Sequence, residues 1–158
     1  MAVQIIGDWS RFEGCLQRLV GFDFVGLHKE IGEQIVTATE ARFRQGVGPD
    51  GKKWPESMRA KAEHGQTLVK TKRLMASLSY HATASEVAVG TNVVYAGVHQ
   101  TGAKIQAKRS KYLRFRIGRR WAMKRAVEIP ARPFMGINDD DKTAIQEIIQ
   151  KRIAEATR

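Results

Sequence analysis

The chain predicts an α+β fold, a mainly antiparallel sheet with a long helix from its N-terminal half and a C-terminal helix packed on it. Residues 25–45, VGLHKEIGEQIVTATEARFRQ, space Leu27, Ile31, Ile35, Ala38 and Arg42 three or four apart, with Phe43 beside them, as on one face of a helix. SLSYHATA, EVAVGTN and VVYAGVHQ then form short β-favouring runs separated by Ser, Glu, Gly and Asn. Finally Ile145, Ile148, Ile149 and Ile153 return to helical spacing behind Asn138-Asp139-Asp140-Asp141, which caps a helix and suits its positive end. Helix, strands and helix in that order place helices against an antiparallel sheet. At 158 residues and 42% hydrophobic content, residues 1–158 are expected to form one domain, and no internal repeat divides them.

The connections follow from turn chemistry. GVGPDGKKW, with three glycines and a proline within six residues, must end the first helix, and Trp54 is expected to anchor the loop to the core. Residues 55–70 are polar and irregular and predict a loop or short helix. The next three runs read as a meander turned at the GTN corner, which would put Tyr95, Gly97 and His99 on one strand face and Val98 on the other, before a turn at Gln100, Thr101 and Gly102. YLRFRI (112–117) alternates, so Tyr112 or Leu113, Phe115 and Ile117 face the core while Arg114 and Arg116 face away. VEIPARPFMGI (127–137) cannot continue as a central strand past Glu128, because Pro130 and Pro133 lack the backbone donor. An extended, edge-like arm is expected.

Composition narrows the function. No apolar run approaches the roughly 20 residues that span a bilayer, and MAVQIIGDWSRFEG lacks a basic segment followed by a long apolar core, so a soluble protein without an export signal is expected. The single cysteine, Cys15, forms no internal disulfide and reads as a small buried hydrophobe. His28, His64, His81 and His99 fall in four different stretches without chelate spacing, and Asp139, Asp140 and Asp141 lack a calcium-loop pattern. No serine sits in a nucleophile elbow or a Ser-x-x-Lys context, and Gly46, Gly48 and Gly51 are not followed by Lys-Ser/Thr as in a phosphate loop. No cofactor, metal or catalytic residue is expected, and the chain is not read as an enzyme.

Charge is the informative feature. Residues 103–127 hold ten cations and no acid, leaving 17 basic against 16 acidic residues in the rest of the chain. Such a cluster repels itself unless an anion, most often nucleic acid, offsets the cost. The plainer alternative is a solvated loop. Lys104, Lys108, Arg109, Lys111, Arg114, Arg116, Arg119 and Arg120 are the candidates to face DNA through its phosphates. Tyr112, Phe115 and Trp121 are of a type that stacks on bases, but the alternation predicts that they point into the core.

Four blocks, FRQGVGPDGKKWPE, LVKTKRLMASL, VGTNVVYAGVHQTG and IPARPFMGI, together resemble the phage virion morphogenesis family, the tail completion proteins of Mu-like and P2-like phages. They run in the family's order from about Phe43 to Ile137. Lys72 stands where the family has a glycine. The basic segment, a loop and strand over 103–126, lies between the third and fourth blocks, and its role does not follow from the resemblance. The resemblance implies a structural virion component acting in tail completion or head–tail joining, as an oligomeric ring or collar at the neck around the DNA path. The implied location is the virion tail or neck, with assembly in the host cytoplasm. The implied partners are further copies of itself and other tail or neck proteins (tail tube, tail terminator or head connector), with no membrane and with non-specific contact to packaged DNA. Ile129, Pro130, Arg132, Pro133 and Phe134 in the extended arm at 127–137 are then expected to cover a neighbouring subunit. Trp54, Tyr95, His99, Gln100 and Gly102 are expected to be structural, with His99 and Gln100 hydrogen-bonded to backbone groups where the basic loop departs. A small DNA-binding accessory protein, for which the basic segment is the whole purpose, is the alternative reading.

Overall fold

The computed structural model describes residues 14, 20–108, 110–117 and 120–157. Its first long element, α1 (Phe24–Gln45), starts at Asp23, whose carboxylate accepts from Gly26 N at 2.8 Å. It stops at Gly46, whose φ of 70° lets its N–H return to Arg42 O. The glycine-rich stretch then folds back, with Val47 and Lys53 bridged and Trp54 N donating to Gly46 O at 2.9 Å. Trp54 thereby meets Phe43 edge-on, ring centroids 5.3 Å apart, as its predicted anchoring role requires.

Two short helices follow, α2 (Met58–Glu63) and α3 (Arg73–Ala76), then a hairpin of β1 (Leu78–Ala82) and β2 (Val87–Thr91) with Leu78 opposite Thr91 and Ala82 opposite Val87. The hairpin lies on α1. Gly32 sits mid-helix because the Tyr80 ring crosses there, and a Cβ would come within 2.6 Å of it. A helix-interior glycine costs about 1 kcal/mol, which this close packing offsets.

VVYAGVHQ is not a strand. The GTN corner leads into a turn and then into helix α4 (Ala96–Thr101). Val93 and Ala96 are the positions buried on the core, and their three-residue spacing is helical, whereas Val94 is 97% exposed. Burial on that period overrides the β preference of Val93, Val94 and Tyr95.

The antiparallel pairing is divided among three two-stranded ribbons and does not form one sheet. Beyond β1–β2, β3 (Ala103–Gln106) pairs with β6 (Ala126–Ile129), and β4 (Leu113–Ile117) pairs with β5 (Arg120–Lys124). These two are nested. The chain leaves along β3, runs out through β4, comes back through β5 and closes on β6, so the basic segment is a β-ribbon whose base is β3–β6. Only Arg125 separates β5 from β6, whereas residues 107–112 intervene between β3 and β4. Pairing resumes beyond them in a shifted register, from Gln106 opposite Ala126 to Leu113 opposite Lys124.

Helix α5 (Asp139–Ala156) closes the chain against α1. Asn138 caps it as the sequence predicts: its side chain accepts from Asp141 N at 2.8 Å, and the Asp141 carboxylate accepts from Asn138 N at 2.9 Å. The same carboxylate forms a buried ion pair with Arg42, whose Nη1 also donates to Gly136 O at 2.8 Å. Arg42 therefore belongs to the inner stripe of α1 as a cation with a dedicated partner. At the centre lie Phe43, Trp54, Leu74, Leu78, Val93, Ala96 and Phe134.

Candidate functional site

The predicted DNA-facing cations do not share one surface. In β4, Leu113, Phe115 and Ile117 are half-buried while Arg114 and Arg116 are exposed, as the alternation requires. The pairing sets Arg114 opposite Met123 and Arg116 opposite Trp121, so these four share a face. Arg120 stands opposite Ile117 and lies on the other face. Lys104 is exposed on the base ribbon opposite Glu128, and Lys108 and Lys111 are exposed between β3 and β4. Arg109 and Arg119 lie outside the described residues.

Trp121 corrects the expectation that the segment's aromatic residues point inward: it is 67% exposed, and Met123 beside it is exposed too. The Arg114 guanidinium lies 5.7 Å from the Trp121 ring centroid, a cation–π arrangement. The physical reason is register. With Ile117 paired to Arg120, Trp121 must share the side of Arg116 and Arg114, and on that side Trp121 and Met123 stay exposed. The signal was present in IGRRWAMK as a hairpin returning the chain along itself, but only pairing reveals the face. The ribbon tip leans on the body through α2, where Arg116 borders Arg59, Glu63 and Lys70.

The arm at 127–137 is extended, but its Arg132 and Phe134 side chains are committed to this chain's own core. Phe134 is 1% exposed and packs on Phe43 at 5.3 Å between centroids, and Arg132 is 4% exposed. Arg132 Nε donates to Pro55 O at 2.7 Å, and Trp54 Nε1 donates to Pro133 O at 2.7 Å. Ile129 is part of β6, and only Pro130 and Pro133 turn their rings outward. The reason is a two-residue alternation after Pro130 that sends Arg132 and Phe134 into this chain's own core.

Gln100 is the clamp that holds it. Its Oε1 accepts from Phe134 N and Met135 N, both at 3.1 Å, and its Nε2 donates to Met135 O at 2.8 Å. This is the predicted bonding to backbone, directed at the arm and not at the departure of the basic ribbon. Gly102, with φ 75°, lets the arm cross, since a Cβ would lie 2.9 Å from Ala131 N. His99 departs from expectation: its side chain makes no hydrogen bond among the described residues, and Nδ1 is buried without a partner. Its contribution is the backbone carbonyl, which accepts from Arg132 N at 2.6 Å, and an edge contact with Tyr95. Burial, and then the positive charge of Arg132, push the His99 pKa below its ordinary value.

What these elements define is a small scaffold that presents a cationic, aromatic ribbon. Residues 8–154 match the model of the phage virion morphogenesis family, and the chain belongs to that family. It is 35% identical over 124 residues to the Mu-like prophage FluMu G protein 2 of Haemophilus influenzae, covering 78% of this chain and 74% of that protein. No solved structure matches it. The protein thus has a role in phage virion morphogenesis. Among the described residues, no helix is long and apolar enough to cross a membrane.

Proposed function

We propose that this protein completes the phage tail or joins it to the head, as a homo-oligomeric ring or collar at the neck, and that it does so without catalysing a reaction. Family membership supports the setting. The observation that carries the reading is the β4–β5 ribbon, which leaves Arg114, Arg116, Trp121 and Met123 exposed on one face. A subunit in a ring around a DNA path needs one element that reaches past its own core, and a cationic strand face binds phosphates without reading sequence. The other contacts would be with further copies of this chain and with tail-tube, tail-terminator or head-connector proteins in the assembling particle.

The exposed indole beside the Arg114 guanidinium also favours a second reading, a small accessory protein that binds DNA without sequence preference. Size-exclusion chromatography with light scattering, followed by duplex-DNA binding at two salt concentrations, separates them. A discrete ring-sized species, alone or on mixing with tail tubes, supports the neck reading. A monomer that binds DNA tightly with a steep salt slope supports the accessory reading. Electron microscopy of particles made without the protein tests the step itself: intact heads beside unjoined or defective tails are expected, and normal virions would refute it.

A further inference from the structure

A cleft of about 250 Å³ opens between α2, α3 and the junction of α4 with the arm. Arg132 contributes to its inner surface, and Arg59, Lys70 and Arg73 line it as well. Its apolar walls come from Leu68, Leu74 and Tyr95. Four cations thus border one recess to which no carboxylate contributes. Glu63 stands just outside, 3.6 Å from both Arg59 and Lys70, so a single acid is divided between two bases. Arg73 and Arg132 have no acidic partner among the described residues.

Arg132 makes the site specific. A guanidinium that is 4% exposed and satisfied only by backbone carbonyls, at 2.7 Å from Pro55 O and 3.5 Å from Pro130 O, is an uncompensated buried charge. Burying a cation without a counter-charge is costly, and a ligand carboxylate would remove that cost while gaining charge-assisted hydrogen bonds. His99 lines the same recess, and its Nδ1 is buried without a partner among the described residues. The exposed cations on the ribbon have neither property.

We propose that this cleft receives the carboxylate side chain of an acidic peptide segment from a partner protein. The choice of a peptide over nucleic acid follows from shape and lining. A recess with leucine and tyrosine walls and a nearly covered arginine admits a side chain on a flexible backbone, whereas the phosphates of a duplex are carried on a stiff surface and meet projecting cations first. The strongly exposed Val94 and the adjoining Tyr95 offer apolar contact for residues flanking the acid. This inference does not depend on the neck or DNA readings, since it turns on the buried Arg132 and concerns a different ligand.

The test is fluorescence anisotropy at about 0.15 M salt, where exposed charges are screened within about 8 Å. The probes are a blocked hexapeptide with two adjacent glutamates flanked by leucines and its glutamine counterpart. The glutamate peptide should bind roughly tenfold or more tightly than the glutamine one, the scale of one charge-assisted hydrogen bond. Lys70→Gln/Arg73→Gln, both at exposed positions, should remove most of that preference. Arg114→Gln/Arg120→Gln, which deletes the same charge from the ribbon, should leave it intact. Equal affinity for the two peptides would overturn the proposal, as would a preference lost equally in both variants, which would mark mere attraction to a basic protein. A cleft variant that loses binding to a short DNA duplex while the peptides bind indistinguishably would assign the recess to nucleic acid and likewise overturn it.

Discussion

The arm and the ribbon are neighbours in sequence, both extended and both rich in groups that seek partners, yet the fold treats them oppositely. In the arm, Phe134 is enclosed by Phe43 and its neighbours, its backbone is clamped by Gln100, and Arg132 is tied to Pro55. In the ribbon, Trp121, Met123 and Arg114 are exposed, and the Arg114 guanidinium lies over the indole. An extended segment with prolines is therefore not by that fact an interaction arm. What distinguishes the two is whether the apolar side chains find the chain's own core, and an exposed indole is the rarer and more informative outcome.

The contrast can be broken most sharply at its buried end. Phe134→Ala should cost about 3–5 kcal/mol, because a fully enclosed ring is lost from a packed core, and urea unfolding should show the midpoint falling without a change in cooperativity. A loss under about 1 kcal/mol would mean that the arm does not pack as described. Next comes the clamp. Gln100→Ala strands Phe134 N, Met135 N and Met135 O and should cost about 1–3 kcal/mol, with faster amide exchange at 134–135 as the local signature.

His99 sharpens the comparison through pH. Its pKa is depressed in the folded state from the ordinary 6.5, so the unfolded chain takes up the proton first as pH falls. The associated stability is fully present above about pH 6.5 and declines as pH drops through the folded value. His99→Gln should flatten the stability profile as pH falls below about 6.5, read from urea midpoints on the acid side. The smallest effect belongs to the ribbon: Trp121→Ala should change stability by no more than about 0.5 kcal/mol, since the indole covers no core. A large loss of thermal stability there would place Trp121 in the fold and remove the contrast.

How much of this was legible in the sequence depends on which interactions decide each element. The long helices α1 and α5 are written in side-chain period and in the Asn138 cap, both local signals, and Trp54 follows a turn that can close only one way. Helix α4 was not legible because Val93, Val94 and Tyr95 favour strand, and only the position of the core selects helix. For the arm, the prolines announced extended backbone, but the destination of Phe134 depends on Phe43, some ninety residues earlier. Arg132 is harder still, since arginine is seldom buried and nothing local marks it. In the ribbon, the alternation in β4 was readable, whereas the exposure of Trp121 required knowing that Arg116 is its partner. Of the clamp, Gln100 was recognisable as a backbone-bonding side chain, but which backbone it holds was a matter of tertiary structure.

The central claim is that the outer face of the ribbon engages other components of the particle while adding little to the fold. A variant carrying Arg114→Gln, Trp121→Ala and Met123→Gln should be supplied in place of the native protein during phage assembly, with its melting temperature measured alongside the particle yield. A melting temperature within a few degrees of the native value together with a severe loss of infectious particles is the predicted result. A stable variant that supports normal particle yield would contradict the claim.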